Sequence, residues 1–173
     1  MHKLLLKYIL LVLVFSGCSV IEPITYNDFP EYVKKVELEN YYRGIGLIFS
    51  TEYNDWLPYN GLYNKRYTPS KSDIIKGEKI LVADYDRYAE KNEFDYNFEN
   101  VQKFYWKFNR QYFGFINSHD EKLLVINLLE FKNRVISSYY FKDWKTRYMS
   151  LLGGSKINNK YMINLDKREI VVF

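Results

Sequence analysis

The run Leu123-Leu124-Val125-Ile126 is apolar at every position, and this constrains the fold more than any other stretch of the chain. Side chains along a strand alternate between the two faces of a sheet, so an uninterrupted apolar run needs cover on both sides. The run lies within Lys122 to Phe131, and Tyr112 to Asn117 precedes it across the polar break Ser118-His119-Asp120-Glu121. That break has the length of a hairpin connection, so the two stretches are expected to form strands of one sheet, the second of them central. With 173 residues and 19% aromatics, the chain has ample apolar material for one core and too little length for two ordinary domains.

The flanking patterns extend this sheet and place helices beside it. Ile45, Leu47 and Phe49, inside Arg43 to Tyr53, recur at period two and predict a strand. Tyr53 to Thr68 is broken by Asn54, Asp55, Pro58, Asn60, Gly61 and Asn64 and reads as a long loop. After Pro69 and Ser70, the spacing of Ile74, Leu81, Tyr85 and Tyr88 predicts a helix that runs through Gly77. Asp95 to Asn97 offer caps for a second helix through Phe98, Val101, Tyr105 and Phe108, ending near Asn109. Tyr140, Trp144 and Tyr148 suggest a third over Ser137 to Met149, which Gly153-Gly154-Ser155 ends. Lys160 to Leu165 and Glu169 to Phe173 form a final hairpin around Asp166-Lys167-Arg168. The expected class is α+β, an antiparallel sheet with two or three helices packed mainly on one face.

The N-terminus carries an address. Met1 to Lys7 is short and basic, Tyr8 to Phe15 is apolar, and Ser16-Gly17-Cys18 closes the segment, which is the layout of a secretory signal. The apolar run is too short to cross a bilayer core that needs about 20 residues. Phe15-Ser16-Gly17-Cys18 resembles the lipobox of bacterial lipoprotein precursors, with Phe15 where that family usually has Leu. The resemblance covers the first twenty residues or so and implies that Cys18 is lipidated, palmitate being one such acyl chain, and becomes the new N-terminus. The expected organisation is a signal peptide over 1–17, a lipid anchor and tether over 18–40, and one globular domain over 41–173. Ser19 stands where an Asp would retain such a protein in the inner membrane, so the resemblance implies a place in the cell envelope, at the outer membrane if there are two. Arg110 to Asn117 also looks similar to segments of small uncharacterised envelope proteins, a likeness that carries no activity.

Loss of residues 1–17 removes Lys3 and Lys7, leaving 23 basic and 21 acidic residues and a charge of +2. So small a charge gives no footprint for nucleic acid. No cofactor or metal signature is present: there are two His and one Cys, Gly44-Ile45-Gly46 is followed by Phe49 instead of a third Gly, and Gly153-Gly154-Ser155 lacks the Lys of a phosphate-binding loop. Ser118-His119-Asp120 has the residue types of a hydrolase triad, but adjacent turn residues point apart, so no catalytic residue is assigned. Among the carboxylates, Asp84 and Asp86 diverge around a helix, while Glu52 and Asp55 share a loop and leave a small carboxylate-dependent hydrolase as an alternative.

The richest feature for binding is the loop in which Tyr53, Trp56, Tyr59, Tyr63 and Tyr67 alternate with Asn54, Asp55, Asn60, Asn64, Lys65 and Arg66. Rings supply contact area at low entropic cost and amides fix orientation, so Trp56, Tyr59, Tyr63, Tyr67, Asn60 and Asn64 are the candidate binding residues. A competing outcome is that the rings fold inward and extend the core. The bases Lys103, Lys107 and Arg110 are expected on one helix face, and residues 132–147 add five bases against one acid, a surface suited to a protein or to anionic head groups. The function expected is that of a lipid-anchored envelope protein that binds a protein or glycan partner, with a hydrolase or an inhibitor or immunity-type protein as alternatives.

Overall fold

The computed structural model describes residues 29–37, 45–59, 61–91, 108–130, 137, 139–151 and 158–171. The signal segment, Cys18, Arg43, Gly44, Asn60, most of the expected second helix, residues 132–136 and Gly153-Gly154-Ser155 lie outside the described residues. The elements are β1 (Val33–Val36), β2 (Gly46–Phe49), β3 (Lys65–Tyr67), α1 (Lys71–Lys91), β4 (Phe108–Ile116), β5 (Lys122–Glu130), β6 (Asn158–Asn164) and β7 (Glu169–Val171). They build a seven-stranded sheet in the order β1-β2-β4-β5-β6-β7, with β3 also paired to β4.

The β4–β5 hairpin is the centre of this sheet. Nine register pairs run from Phe108 opposite Glu130 to Ile116 opposite Lys122. The turn closes because Asn117 Oδ1 accepts from the backbone N–H groups of His119 and Glu121, at 2.9 and 3.0 Å, while Asp120 takes a left-handed φ of 59°. Asn164 does the same for the β6–β7 hairpin, accepting from Asp166 and Lys167.

Two expectations about the sheet and helices need correction. The sheet is mixed, not purely antiparallel, because β2 runs parallel to β4 from Gly46 opposite Arg110 to Phe49 opposite Phe113. Only one helix, α1, is assigned among the described residues instead of two or three. Phe108 and Asn109, expected at the end of a second helix, open β4, where Phe108 buries its ring and Asn109 Oδ1 accepts from the Ile45 N–H at 2.8 Å. Arg110 consequently shares no helix face with Lys103 and Lys107. The expected third helix makes one turn, closed by Phe141 N–H on the Ser137 carbonyl, and then a chain of tight turns to Arg147. Aromatic residues at Phe141, Trp144 and Tyr148 bury themselves from that irregular path, so helical spacing was incidental there.

The boundaries of the loop and the tether also shift. β3 lies inside the stretch expected to be a loop, antiparallel to β4 from Lys65 opposite Ile116 to Tyr67 opposite Gly114. Gly114 is required at that contact, since a Cβ there would stand 2.5 Å from the Tyr67 carbonyl oxygen. β1 lies inside the 18–40 tether and pairs with β2, so among the described residues the sheet begins at Val33.

The two faces have different cover. On one, α1 lays Ile74, Leu81 and Tyr85, with Tyr88 partly buried, against Tyr112, Leu124, Ile126, Tyr161 and Ile163. Ser70 starts this helix with a reciprocal cap: its Oγ accepts from Asp73 N–H at 3.1 Å, and Asp73 Oδ2 accepts from Ser70 N–H at 3.0 Å. Gly77 lets the helix approach closely, because a Cβ there would overlap Leu124 Cδ2. On the other face the segments around Tyr53–Tyr59 and Phe141–Leu151, the latter entered by the single helical turn at Ser137–Phe141, cover Leu47, Phe49, Phe113, Phe115, Val125 and Met162. The Leu123–Ile126 run is thus buried on both sides, as its composition requires.

Candidate functional site

The layer over the face opposite α1 is where the sequence concentrates its candidate binding residues. It is anchored by polar groups that β4, β5 and β6 send into the core. Gln111 Nε2 donates to the carbonyls of Trp144 and Arg147, at 2.6 and 2.5 Å, while its Oε1 accepts from Met149 N–H at 3.0 Å and from Asn127 Nδ2 at 2.8 Å. Asn127 Nδ2 also donates to the Met149 carbonyl at 2.8 Å, and its Oδ1 accepts from Asn158 Nδ2 at 2.7 Å. Asn158 Oδ1 takes the Leu151 N–H at 3.2 Å. Buried amides here satisfy the backbone of an irregular segment, which has no ladder of its own. The signal in the sequence is Asn127 itself, an amide within a strand apolar on both faces.

The aromatic loop folds down onto the same layer. Tyr53 O–H accepts from Tyr148 N–H at 2.7 Å, and its ring meets Phe49 edge-on at 5.0 Å. Tyr59 is 1% exposed; its hydroxyl lies 2.9 Å from that of Tyr148 and its ring is T-shaped against Phe115 at 5.5 Å. Burial pushes the Tyr59 hydroxyl well above its ordinary pKa, and it pushes Tyr148 up to about 12. Tyr63 packs on Phe115 at 4.4 Å, and Tyr67 is half-buried with its hydroxyl pKa also raised by burial. The expectation of an exposed ring surface is therefore corrected for Tyr59, a core residue, and reduced for Tyr63 and Tyr67. Phe115 and Phe113 stand beneath the loop and offer more contact than water does.

Arg66 ties the loop closed. Its Nη1 donates to the Tyr53 carbonyl and its Nη2 to those of Ser50 at 2.8 Å and Phe49 at 3.3 Å, with the rings of Tyr53, Phe113 and Phe115 each about 6 Å away. Burial lowers its pKa. This charged residue of the loop thus binds its own backbone.

Trp56 remains outside this packing, 67% exposed. Leu57 next to it is buried, and Asp55 faces Arg147 with 3.9 Å between Oδ2 and Nε. Asn64 is exposed and reaches the Asn117 carbonyl at 3.4 Å, and Asn60 lies outside the described residues. What the loop leaves in water is Trp56 and, next to it in sequence, Asp55, which faces Arg147. Glu52 and Asp55 both stand in solvent, whereas the carboxyls of glycoside hydrolysis face each other across a cleft. Ser118, His119 and Asp120 are likewise exposed turn residues.

One buried charge cluster has no counterpart in the sequence reading. Glu78 on α1 and Arg110 on β4 are both completely buried, with Arg110 Nε 3.2 Å from Glu78 Oε1. Tyr112 O–H donates to the same oxygen at 2.6 Å, and Arg110 Nη1 donates to the Phe108 carbonyl at 2.8 Å. The alternation Phe108, Arg110, Tyr112 puts all three on the helix side, and Glu78 follows Ile74 by one helical turn. Sealed from solvent, the cluster binds helix to sheet and offers no substrate an approach. No family model matches the chain, and no curated protein or solved structure is significantly similar to it.

Proposed function

We propose that the chain is a lipid-anchored bacterial envelope protein that acts by binding a protein or glycan partner through the surface around Trp56. The lipobox-like segment ending at Cys18 supports the anchor, and Ser19 favours the outer membrane where two are present. The observation that carries the binding reading is Trp56: a large ring left in water on a loop that buries Tyr53, Leu57 and Tyr59. A tryptophan ring supplies a large contact area with only two side-chain torsions to fix, and tryptophan is enriched among interaction hot spots.

Two experiments test the two halves of the proposal. Crosslinked affinity capture from the native envelope should recover one partner with the wild-type protein and lose it with Trp56→Ala. Equal recovery with both would remove Trp56 from the interface. Metabolic labelling with a palmitate analogue should mark the wild type and not Cys18→Ala, which should accumulate unprocessed or released. A Cys18→Ala protein with unchanged mass and unchanged membrane partition refutes the anchor.

A further inference from the structure

We propose that Ser150 and Lys160 form a nucleophile and base pair that transfers acyl groups from esters to water, an activity separate from partner binding at Trp56. Lys160 stands on β6 between Asn158 and Met162, on the face opposite α1, and its cross-strand neighbour on β5 is the amide Asn127. It is half-buried there, and among the described residues no carboxylate pairs with it. Its Nζ instead lies 2.7 Å from Ser150 Oγ and 5.7 Å from the centre of the Tyr148 ring. A lysine drawn into the protein without a counter-ion loses its proton more readily, and burial lowers the Lys160 pKa from its ordinary value. The ammonium donates to Ser150 Oγ; once neutral, the amine accepts the Ser150 O–H across the same separation.

The second support is the backbone that carries Ser150. Both of its neighbours are fixed from beneath: Gln111 Oε1 accepts from Met149 N–H, Asn127 Nδ2 donates to the Met149 carbonyl, and Asn158 Oδ1 accepts from Leu151 N–H. Three buried amides on three strands thus hold an irregular segment on either side of one exposed serine, the support a preorganised nucleophile needs. Among the described residues the Ser150 N–H has no hydrogen-bond partner, which leaves it free to donate to a developing oxyanion. Ser150 is also a hydrogen-bond partner of the Tyr148 hydroxyl, which lies 2.9 Å from that of Tyr59, so Tyr148 is a positioning residue. In the first step neutral Lys160 takes the hydroxyl proton while Ser150 Oγ bonds to the ester carbonyl carbon. The ester C–O bond then breaks, and Lys160 passes the proton to the leaving alcohol. Water, deprotonated by Lys160, next attacks the acyl carbon; the Oγ–C bond breaks, Oγ regains the proton, and the carboxylic acid leaves.

The test uses the full chain in detergent, with an alkyl fluorophosphonate, which phosphonylates an activated serine with loss of fluoride, and with p-nitrophenyl acetate as the ester. Mass spectrometry should find Ser150 labelled at least about a hundredfold faster than Ser72, an exposed serine of α1. Ser150→Ala should abolish p-nitrophenol release above background. Lys160→Met should slow both reactions about a hundredfold, and so should Lys160→Arg, which keeps the charge and a hydrogen-bond donor but stays protonated. In the wild type, labelling should rise with pH and level off below the ordinary lysine value of 10.5; the Tyr148 hydroxyl, pushed up to about 12, and that of Tyr59, pushed up further, titrate above that range. Labelling of Ser150 no faster than of Ser72, a rate that Lys160→Arg leaves unchanged, or a profile still climbing past pH 10.5 each overturns the pair.

Discussion

Truncating Tyr59 and Trp56 to alanine should have opposite consequences, although the two residues lie three apart in one loop. Tyr59 is 1% exposed, has its ring against Phe115 and has its hydroxyl 2.9 Å from that of Tyr148. Removing a buried ring of this size costs about 3–5 kcal/mol, because the transfer energy is lost and the cavity does not collapse. Removing the hydroxyl alone, in Tyr59→Phe, takes away one buried partner of Tyr148 and should cost about 1–3 kcal/mol. Trp56 is 67% exposed, so Trp56→Ala should fall within about 0.5 kcal/mol of wild type. For a domain of this size each kcal/mol moves Tm by about 2–4 °C, so Tyr59→Ala should lower Tm by roughly 6–20 °C and Trp56→Ala by no more than about 2 °C. Thermal unfolding followed by circular dichroism reads both. A Trp56→Ala loss as large as that of Tyr59→Ala would place Trp56 in the core and leave the proposed binding surface without its ring.

Gly77→Ala should destabilise the protein, since its new Cβ overlaps Leu124 Cδ2, and in a Leu124→Ala background the same change should become neutral or favourable by up to about 1 kcal/mol, the helix preference of alanine; a double-mutant cycle in denaturant checks it. Gln111→Leu strands the carbonyls of Trp144 and Arg147 and the N–H of Met149, so hydrogen exchange over 144–149 should rise together with a loss of more than about 2 kcal/mol, and unchanged exchange there would refute the tethering role. The amide of Asn117, then Lys167 and the amide of Asn164, hold the Glu121 carboxyl down to about 2 from an ordinary value near 4.5. A depressed folded pKa contributes stability that is complete above the unfolded value and disappears as pH falls toward about 2. Glu121→Gln should therefore flatten the acid side of the stability profile between those values, and a profile identical to wild type would contradict it.

Several elements were legible in the residues themselves because their information is local. The strand pattern of Ile45, Leu47 and Phe49, the helical face of Ile74, Leu81 and Tyr85, and the two hairpins each follow from a periodicity or a turn residue within a few positions, and each is found in the structure. The double-faced run at Leu123–Ile126 also announced its burial, since no one-sided sheet hides four consecutive apolar side chains.

What the local pattern could not carry was which surface each ambiguous segment would meet. Phe98, Val101, Tyr105 and Phe108 keep helical spacing, yet Phe108 and Asn109 join β4 because a nine-residue partner, β5, and the backbone at Ile45 satisfy them there. The parallel pairing of β2 with β4 joins residues more than sixty apart, a distance no turn signal reports. In the aromatic loop, composition alone allows the rings either to face water or to extend the core. Phe113, Phe115 and Tyr148 decide it, drawing Tyr53, Tyr59 and Tyr63 inward and leaving Trp56 outside, and Arg66 pairs with the carbonyls that this folding brings together. The sequence by itself determined the apolar load and the local periodicities; which rings remained available for binding was decided by long-range contacts, because burial is a property of the surface a side chain meets and not of the side chain.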